Sequence, residues 1–422
     1  MTSCSKAVLI AAAFLATACS ERAPEGSVLL TASRIYAAPE QAPIDNGAIL
    51  MQDGRILAVG PRDTVAARGA RRLERCDGGI VVAGFQNSHV HFTEPKWEGA
   101  DARPAAELAE SLRGMLTRYG FTTVVDTASG VENTVALRSR IERGEIAGPR
   151  ILTAGLPLYP EHGIPIYLRD MPAEFLALLP QPGSTEVALA IVQSNLDRGA
   201  DATKLFVMTP QGGGRAAFMK PDIARVAADE THRRGLPVLV HPTDIEGIEL
   251  AIEAGADILV HTTIGGGKAT WDEGLVARLV EQDIGVVPTL KLWRYELERA
   301  AVPADIVEQA LGDAVAQLRA FSTAGGQVLF GTDVGYMSDY DPAEEYRQMA
   351  RALTPMQILA SLTTAPAARW QEQDSRGRVA KGLDADLVVL DADPAENAGN
   401  FAGVRCTIRA GQPVFEAPPP GG

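Results

Sequence analysis

Between residues 80 and 331 the chain alternates short apolar runs with longer stretches whose apolar positions recur at helical spacing. The runs are 80–86 (IVVAGFQ), 121–127 (FTTVVDT), 150–155 (RILTAG), 202–208 (ATKLFVM), 236–241 (LPVLVH), 256–261 (ADILVH), 284–289 (IGVVPT) and 326–331 (GQVLFG). Near-continuous apolarity is expected of strands covered on both faces, as in a parallel sheet. Stretches such as PAAELAESLRGMLTRYG and PDIARVAADETHRRG are amphipathic and end in glycine, as helices commonly do. Eight such strands with helices between them predict a (β/α)8 TIM barrel. The competing doubly wound sheet needs a Gly-rich phosphate turn after its first strand, and none is present.

The pattern changes on both flanks. SVLLTASRIYA and GAILMQDGRILAVGP read as short strands around an Asp-Gly hairpin turn. RGRVAKGLDADLVVLDADP and VRCTIRAGQPVF repeat the style near the other end, with an Ala-Gly turn. Two β-rich arms around a long α/β stretch predict one composite β-sandwich domain, from 28–80 and 366–416, beside a catalytic barrel over 81–365. Two connections stand out. Residues 156–186 form a Pro-rich loop far longer than usual, expected to be a lid over the barrel mouth. Residues 209–215 (TPQGGGR) are expected to be a mobile turn.

The first residues read as a processing segment. Lys6 precedes the apolar run AVLIAAAFLATA, which is too short to span a bilayer as a mature helix. Ala16-Thr17-Ala18-Cys19 resembles a lipobox with Cys19 as the lipidated residue, and it also satisfies the small-residue rule for ordinary signal cleavage. Residues 1–19 are therefore expected to be a signal peptide, and the protein to be exported, either periplasmic or lipid-anchored to the bacterial cell envelope. Beyond the leader only Cys76 and Cys406 remain, both in the β-rich arms. An oxidising compartment would permit a bridge between them; two unrelated buried thiols is the other reading, and a Cα separation above about 7 Å would exclude the bridge. A net charge of −14 with no basic stripe argues against a nucleic-acid partner. Membrane contact is expected only through the lipid anchor, and the sequence leaves the oligomeric state open.

The chemistry lies at the strand ends. His89 and His91 in AGFQNSHVHF, Lys204 in GADATKLFV, His241 closing LPVLVH, His261 closing ADILVH and Asp333 after QVLFG all sit where strands one, four, five, six and eight should finish. Active sites of such barrels lie at that face. A period of two puts His89 and His91 on one side of their strand. Any one of these residues could be a satisfied core side chain or a loop cap. Their coincidence at strand ends points instead to a metal site. His162 and His232 fall off the pattern, His232 within a helix.

At this point the chain resembles the amidohydrolase superfamily, in the branch of imidazolonepropionase-like proteins and metal-dependent Xaa-Pro and Lys/Arg dipeptidases. The resemblance runs over roughly 28–416 and rests on AGFQNSHVHF, GFTTVVDT, GPRILTAG, GADATKLF, AIEAGADILVH, GTDVG and LTPMQILASLTTAPAARW with KGLDADLVVLDADP. Ala83, Gln86 and Asn87 depart from the usual residues and are expected to affect packing behind the metal. The resemblance implies that His89 and His91 bind a buried metal with Asp333, and that His241 and His261 bind a second. Lys204, carbamylated, would bridge the two. Lysine carbamate and Asp333 would offset charge that an ammonium would only repel. Two Zn2+ ions per chain is the default for nitrogen and oxygen ligands.

The implied reaction is hydrolysis of an amide, peptide or cyclic amide C–N bond of a small molecule by a metal-bridging hydroxide, with Asp333 as proton shuttle and His261 and His162 as further catalytic candidates. Tyr159, His162, Arg215, Lys291 and Arg294 are substrate-binding candidates; one of the cations could hold a carboxylate. Trp97 would wall the pocket or close the first loop. The alternatives are a mononuclear imidazolonepropionase- or deaminase-like hydrolase, a lactone or ester hydrolase, and, in a different class, a non-catalytic binding lipoprotein.

Overall fold

A computed structural model describes residues 22–264 and 270–418. The leader and Cys19 lie outside the described residues. Parallel strands form two groups. Phe85–Val90, Phe121–Asp126 and Arg150–Thr153 pair in that order. Thr203–Phe206, Val238–His241, Ile258–Val260 and Gly285–Val287 pair in theirs.

Backbone contacts connect the groups on both sides. Asp201 N donates to Thr153 O (2.7 Å) at one junction. At the other, Val286 bridges Val328, Ser88 N donates to Phe330 O (2.7 Å) and Asp333 N to His89 O (2.9 Å). The parallel pairings therefore follow one another in a cycle. These strands are buried along their length, with only Arg150 at the start of its strand partly exposed, as the apolar runs require. Amphipathic helices such as Pro221–Arg233 and Glu273–Glu281 set their apolar sides against them.

The expected strand 80–86 is two strands. Ile80–Ala83 pairs with Val28–Ile35 and Leu387–Leu390, whereas Phe85–Val90 enters the parallel set. The break falls at Gly84, where a Cβ would stand 2.2 Å from Thr122 Oγ1. An unbroken apolar run cannot say which half pairs with which sheet.

The β-rich arms do come together. Val28–Ile35, Ile44–Gln52, Arg55–Pro61 and Ile80–Ala83 join Leu387–Leu390, Val404–Arg409 and Gln412–Glu416 in one eight-stranded sheet that also includes Arg71–Arg72. Its far edge returns to residues 382–385: Ile56 N donates to Leu383 O (2.9 Å) and Ala385 N to Gly54 O (2.8 Å). Both arms thus contribute to one continuous hydrogen-bonded sheet, whose strand order alternation could not give because it identifies strands but not their partners. Asp53-Gly54 and Ala410-Gly411 have positive φ at both central residues, the two-residue hairpin geometry the turns suggested. Cys76 and Cys406 are bonded inside this unit, their Cα atoms 5.7 Å apart. No helix among the described residues is long and apolar enough to cross a membrane.

The long connection after Arg150–Thr153 contains the turns Ile166–Leu168 and Ala173–Leu176. Its Leu168, Phe175, Leu176 and Leu179 pack on Tyr159 and Phe206. Residues 209–215 belong to a β-hairpin, Met208–Gly212 with Arg215–Phe218, that supports this lid through Thr209 Oγ1 to Gly163 O (2.7 Å). The glycine-rich segment is thus the turn of a paired hairpin.

Candidate metal centre

All six strand-end residues gather at one end of the parallel set. His89 and His91 Nε2 are 3.2 Å apart. Asp333 Oδ1 lies 2.7 Å from His91 Nε2 and 3.3 Å from His89 Nε2, and Asp333 Oδ2 is 4.0 Å from His261 Nε2. The His261 ring stands 4.8 Å from that of His89 and 4.6 Å from that of His241, centroid to centroid. His89, Lys204, His241, His261 and Asp333 are buried. The Lys204 charge reaches His89, His241 and His261, so the amine shares their surroundings.

Backbone geometry sets the aim of several side chains. His261 and Asp333 are non-glycine residues at φ +83° and +60°, and Thr289, which follows Gly285–Val287, is at φ +44°. Such conformations are costly and persist where surrounding packing enforces them, often at functional sites. Asn87 links the first strand to the last: its Oδ1 accepts from His89 N and Thr332 N (3.2 Å each), and its Nδ2 donates to Thr332 Oγ1 (2.7 Å). This is the backing role expected at that position.

The Thr289 hydroxyl donates to Pro288 O (2.9 Å) and sits 2.5 Å from His261 Nδ1. That contact anchors Nδ1 and turns Nε2, 4.0 Å from Asp333 Oδ2, towards the cluster. Thr289 was missed by the sequence reading, although it too ends a predicted strand. Burial, with Lys204 or the other histidines adding to it, holds the pKa of His89, His241 and His261 well below the usual histidine value. Burial also pushes the Lys204 amine down to about 7, opposed only by the Asp333 carboxylate. Lys204 Nζ makes no hydrogen bond or ion pair with a described residue; it lies 5.1 Å from the Phe206 ring.

This donor set fits divalent metal ions. Neutral imidazoles are the ligating form. Two ring nitrogens facing each other beside a carboxylate oxygen form a concentration of lone pairs that a cation relieves, and His89, His261 and Asp333 offer ligand atoms within 4.8 Å of one another. His241 is stacked on Phe206 (4.5 Å), which is stacked on Tyr159 (4.6 Å), so the lid core rests directly on the ligand cluster.

The other candidates divide. Tyr159 is buried in that stack. His162 is exposed on the lid at φ +56°. Arg215 is exposed in the hairpin. Lys291 is buried and committed, its Nζ donating to Asp339 O (2.8 Å) and Asp341 O (2.7 Å) and pairing with the Asp339 carboxylate. Arg294 is bound to Glu308 and Glu344, at 2.8 Å each. Trp97 is fully buried against Phe92 and closes the first loop. Tyr167 and Tyr336, unmarked in the sequence, meet edge to face with centroids 6.0 Å apart, joining the lid to the turn that follows Asp333.

The chain is similar to proteins already known. The sequence profile of the Amidohydrolase family matches residues 80–414, and that of the imidazolonepropionase-like composite domain of bacteria matches 47–68. Ochratoxinase of Aspergillus niger is 23% identical over 416 residues, covering 89% of this chain and 84% of that one. Allantoinase of Solibacter usitatus is 25% identical over 394 residues, covering 83% and 82%. The crystal structure of a Xaa-Pro dipeptidase with bound methionine superposes with a TM-score of 0.75 at 21% identity, over 93% of this chain and all of that one. The profile match spans most of the chain and includes all six clustered residues, and the chain therefore belongs to the amidohydrolase family of hydrolases.

Proposed function

We propose that this chain is a (β/α)8-barrel metallohydrolase that cleaves the C–N bond of an amide, peptide or cyclic amide, with two divalent ions at the cluster. The observation that carries the reading is the convergence of four imidazoles, a carboxylate and an otherwise unpartnered buried lysine from five separate strand ends. His89, His91 and Asp333 would hold one ion and His241 and His261 the other, with Lys204 joining them as its carbamate. A lysine that is neutral near pH 7 is the form that reacts with CO2. The amide-bond hydrolases among the relatives support this substrate class.

Bound ions would supply Lewis acidity and a water deprotonated near neutral pH. The chain's own residues do the rest. Asp333, 2.7 Å from His91, is placed to accept the proton of the attacking water and return it to the leaving nitrogen. Thr289 holds the His261 ring through Nδ1. The stack of Tyr159 and Phe206 shields His241 from water on the lid side. We place the protein outside the cytoplasm, exported with Cys19 as the lipid site; the Cys76–Cys406 bond supports an oxidising compartment.

The test is metal analysis together with a hydrolysis screen of dipeptides, N-acyl amino acids, hydantoins and lactones by zinc-loaded protein. About two ions per chain and turnover of a C–N substrate are expected. One ion with unmodified Lys204 would favour the mononuclear alternative, turnover of lactones alone the ester reading, and no turnover at all the binding-protein reading.

A further inference from the structure

Several helices of this chain are capped by the residue that precedes them. Ser184, Asp244, Asp272 and Thr354 each accept a first-turn backbone N–H through their own side chains. Thr289 holds the same place before helix Leu290–Arg299 and does not do so. It is fully buried, at φ +44°, and its side chain accepts from no N–H of its helix. The hydroxyl is turned to His261 Nδ1 instead, 2.5 Å away.

The missing cap comes from another element. Glu345, in helix Ala343–Met349, is wholly buried, and its Oε2 accepts from Lys291 N (2.7 Å), with the Leu290 N–H also directed at the carboxylate. A threonine at the cap position ordinarily takes the second or third N–H of its helix. Leu292 N, the third, already donates to Thr289 O (3.1 Å), so Lys291 N is the one that needs an acceptor. The same stretch of chain grips Lys291 twice, since its Nζ donates to Asp339 O and Asp341 O. Burying a carboxylate is costly. Glu345 Oε1 has no hydrogen-bond partner among the described residues, and burial pushes the carboxyl up to about 7, the Lys291 and Leu290 N–H groups opposing it. A helix start needing only a cap would be served more simply by the threonine already there.

Resting on the metal-site reading above, we propose that Glu345 is a positioning residue for His261: by taking the Lys291 N–H, it leaves the Thr289 hydroxyl to the His261 ring. Without Glu345 that N–H is a buried donor with no acceptor, which costs more than an ordinary hydrogen bond gains. The Thr289 oxygen can meet it, and turning to do so releases His261 Nδ1. The stretch from Asp333 to Glu345 thus carries one proposed ligand at its start and secures the support of another at its end.

The experiment pairs Glu345→Leu, which fills the space without an acceptor, with Glu345→Gln, which keeps an oxygen for Lys291 N. Glu345→Ala replaces the leucine variant should that one not fold. Zinc affinity is read by competition with a chelator, and the nitrogen-15 resonances of the His261 ring are read in metal-free protein. Glu345→Leu is expected to weaken zinc binding by about ten- to a hundredfold and to move the His261 resonances as Thr289→Val moves them. Glu345→Gln should restore most of both. Combining Glu345→Leu with Thr289→Val should weaken zinc no further than Thr289→Val alone, because both act through one contact. Unchanged ring resonances, additive losses in the double variant, or a glutamine variant no better than the leucine one would overturn the proposal and leave Glu345 a cap alone. The expected ring resonances in a protein that binds no zinc would sustain the positioning and defeat the metal-site reading alone.

Discussion

One hydroxyl decides how His261 presents itself. The Thr289 hydroxyl, 2.5 Å from His261 Nδ1, holds the ring so that Nε2 faces the cluster, the orientation the proposed metal ligand needs. Thr289→Val should therefore weaken zinc binding by about ten- to a hundredfold with little loss of fold, as read by competition with a chelator. Asp333→Asn keeps an oxygen in place and removes the base; turnover should fall by orders of magnitude while most of the metal remains, and near wild-type turnover would refute the shuttle. Protonation gives a third test at this scale. His89, His241 and His261 titrate below 6.5 when folded, and Lys204 near 7 against 10.5 when unfolded. In each case the unfolded chain binds protons first on acidification. The metal-free, uncarbamylated protein should thus gain stability as pH rises from about 7 towards 10.5 and lose it as pH falls below 6.5. Denaturant unfolding across that range measures it, and a flat profile would contradict the burial of these groups as bases.

The elements place these residues through a few close approaches. Gly335, at φ +95°, lets the turn after Asp333 pass so near the first strand that a Cβ would lie 1.9 Å from His91 O. Gly335→Ala should cost about 1–3 kcal/mol and weaken metal binding, since His91 must move with its carbonyl; urea unfolding and metal titration report the two effects. Strand identity was legible because a strand covered on both sides must be apolar throughout, and the histidines ending LPVLVH and ADILVH broke that rule conspicuously. Pairing was not legible. Nothing in IVVAGFQ announces that Val82 pairs in one sheet and Phe85 in another, because the close approach at Gly84 that separates them involves Thr122, distant in sequence.

For the whole molecule, the curled sheet clasps the two ends of the chain and the disulfide seals it across 330 residues. Cys76 and Cys406 are wholly buried among Leu30, Val81, Val389 and Ile408. Replacing both by Ala should lower stability by about 2–4 kcal/mol while leaving the metal site intact, with thermal unfolding monitored alongside zinc content. Loss of metal in step with the bond would show that the sheet and the parallel strands unfold as one unit. The lid belongs to this scale as well, since it packs on Phe206, touches the turn after Asp333 through Tyr167 and is supported by the hairpin from Met208 to Phe218.

The amino-acid sequence alone determined the alternation of strands and helices, the β-rich arms and the six polar residues that meet at the strand ends, because burial demands particular residue types at particular spacings and a polar side chain closing an apolar strand stands out. Tertiary structure decided which half of 80–86 joins which sheet, whether Cys76 and Cys406 meet, and which candidate cations are already paired. Those outcomes depend on partners far away in the chain: Lys291 looks like a substrate cation until Asp339 and Asp341 fold over it, and Tyr167 looks like loop filler until it arrives beside Tyr336.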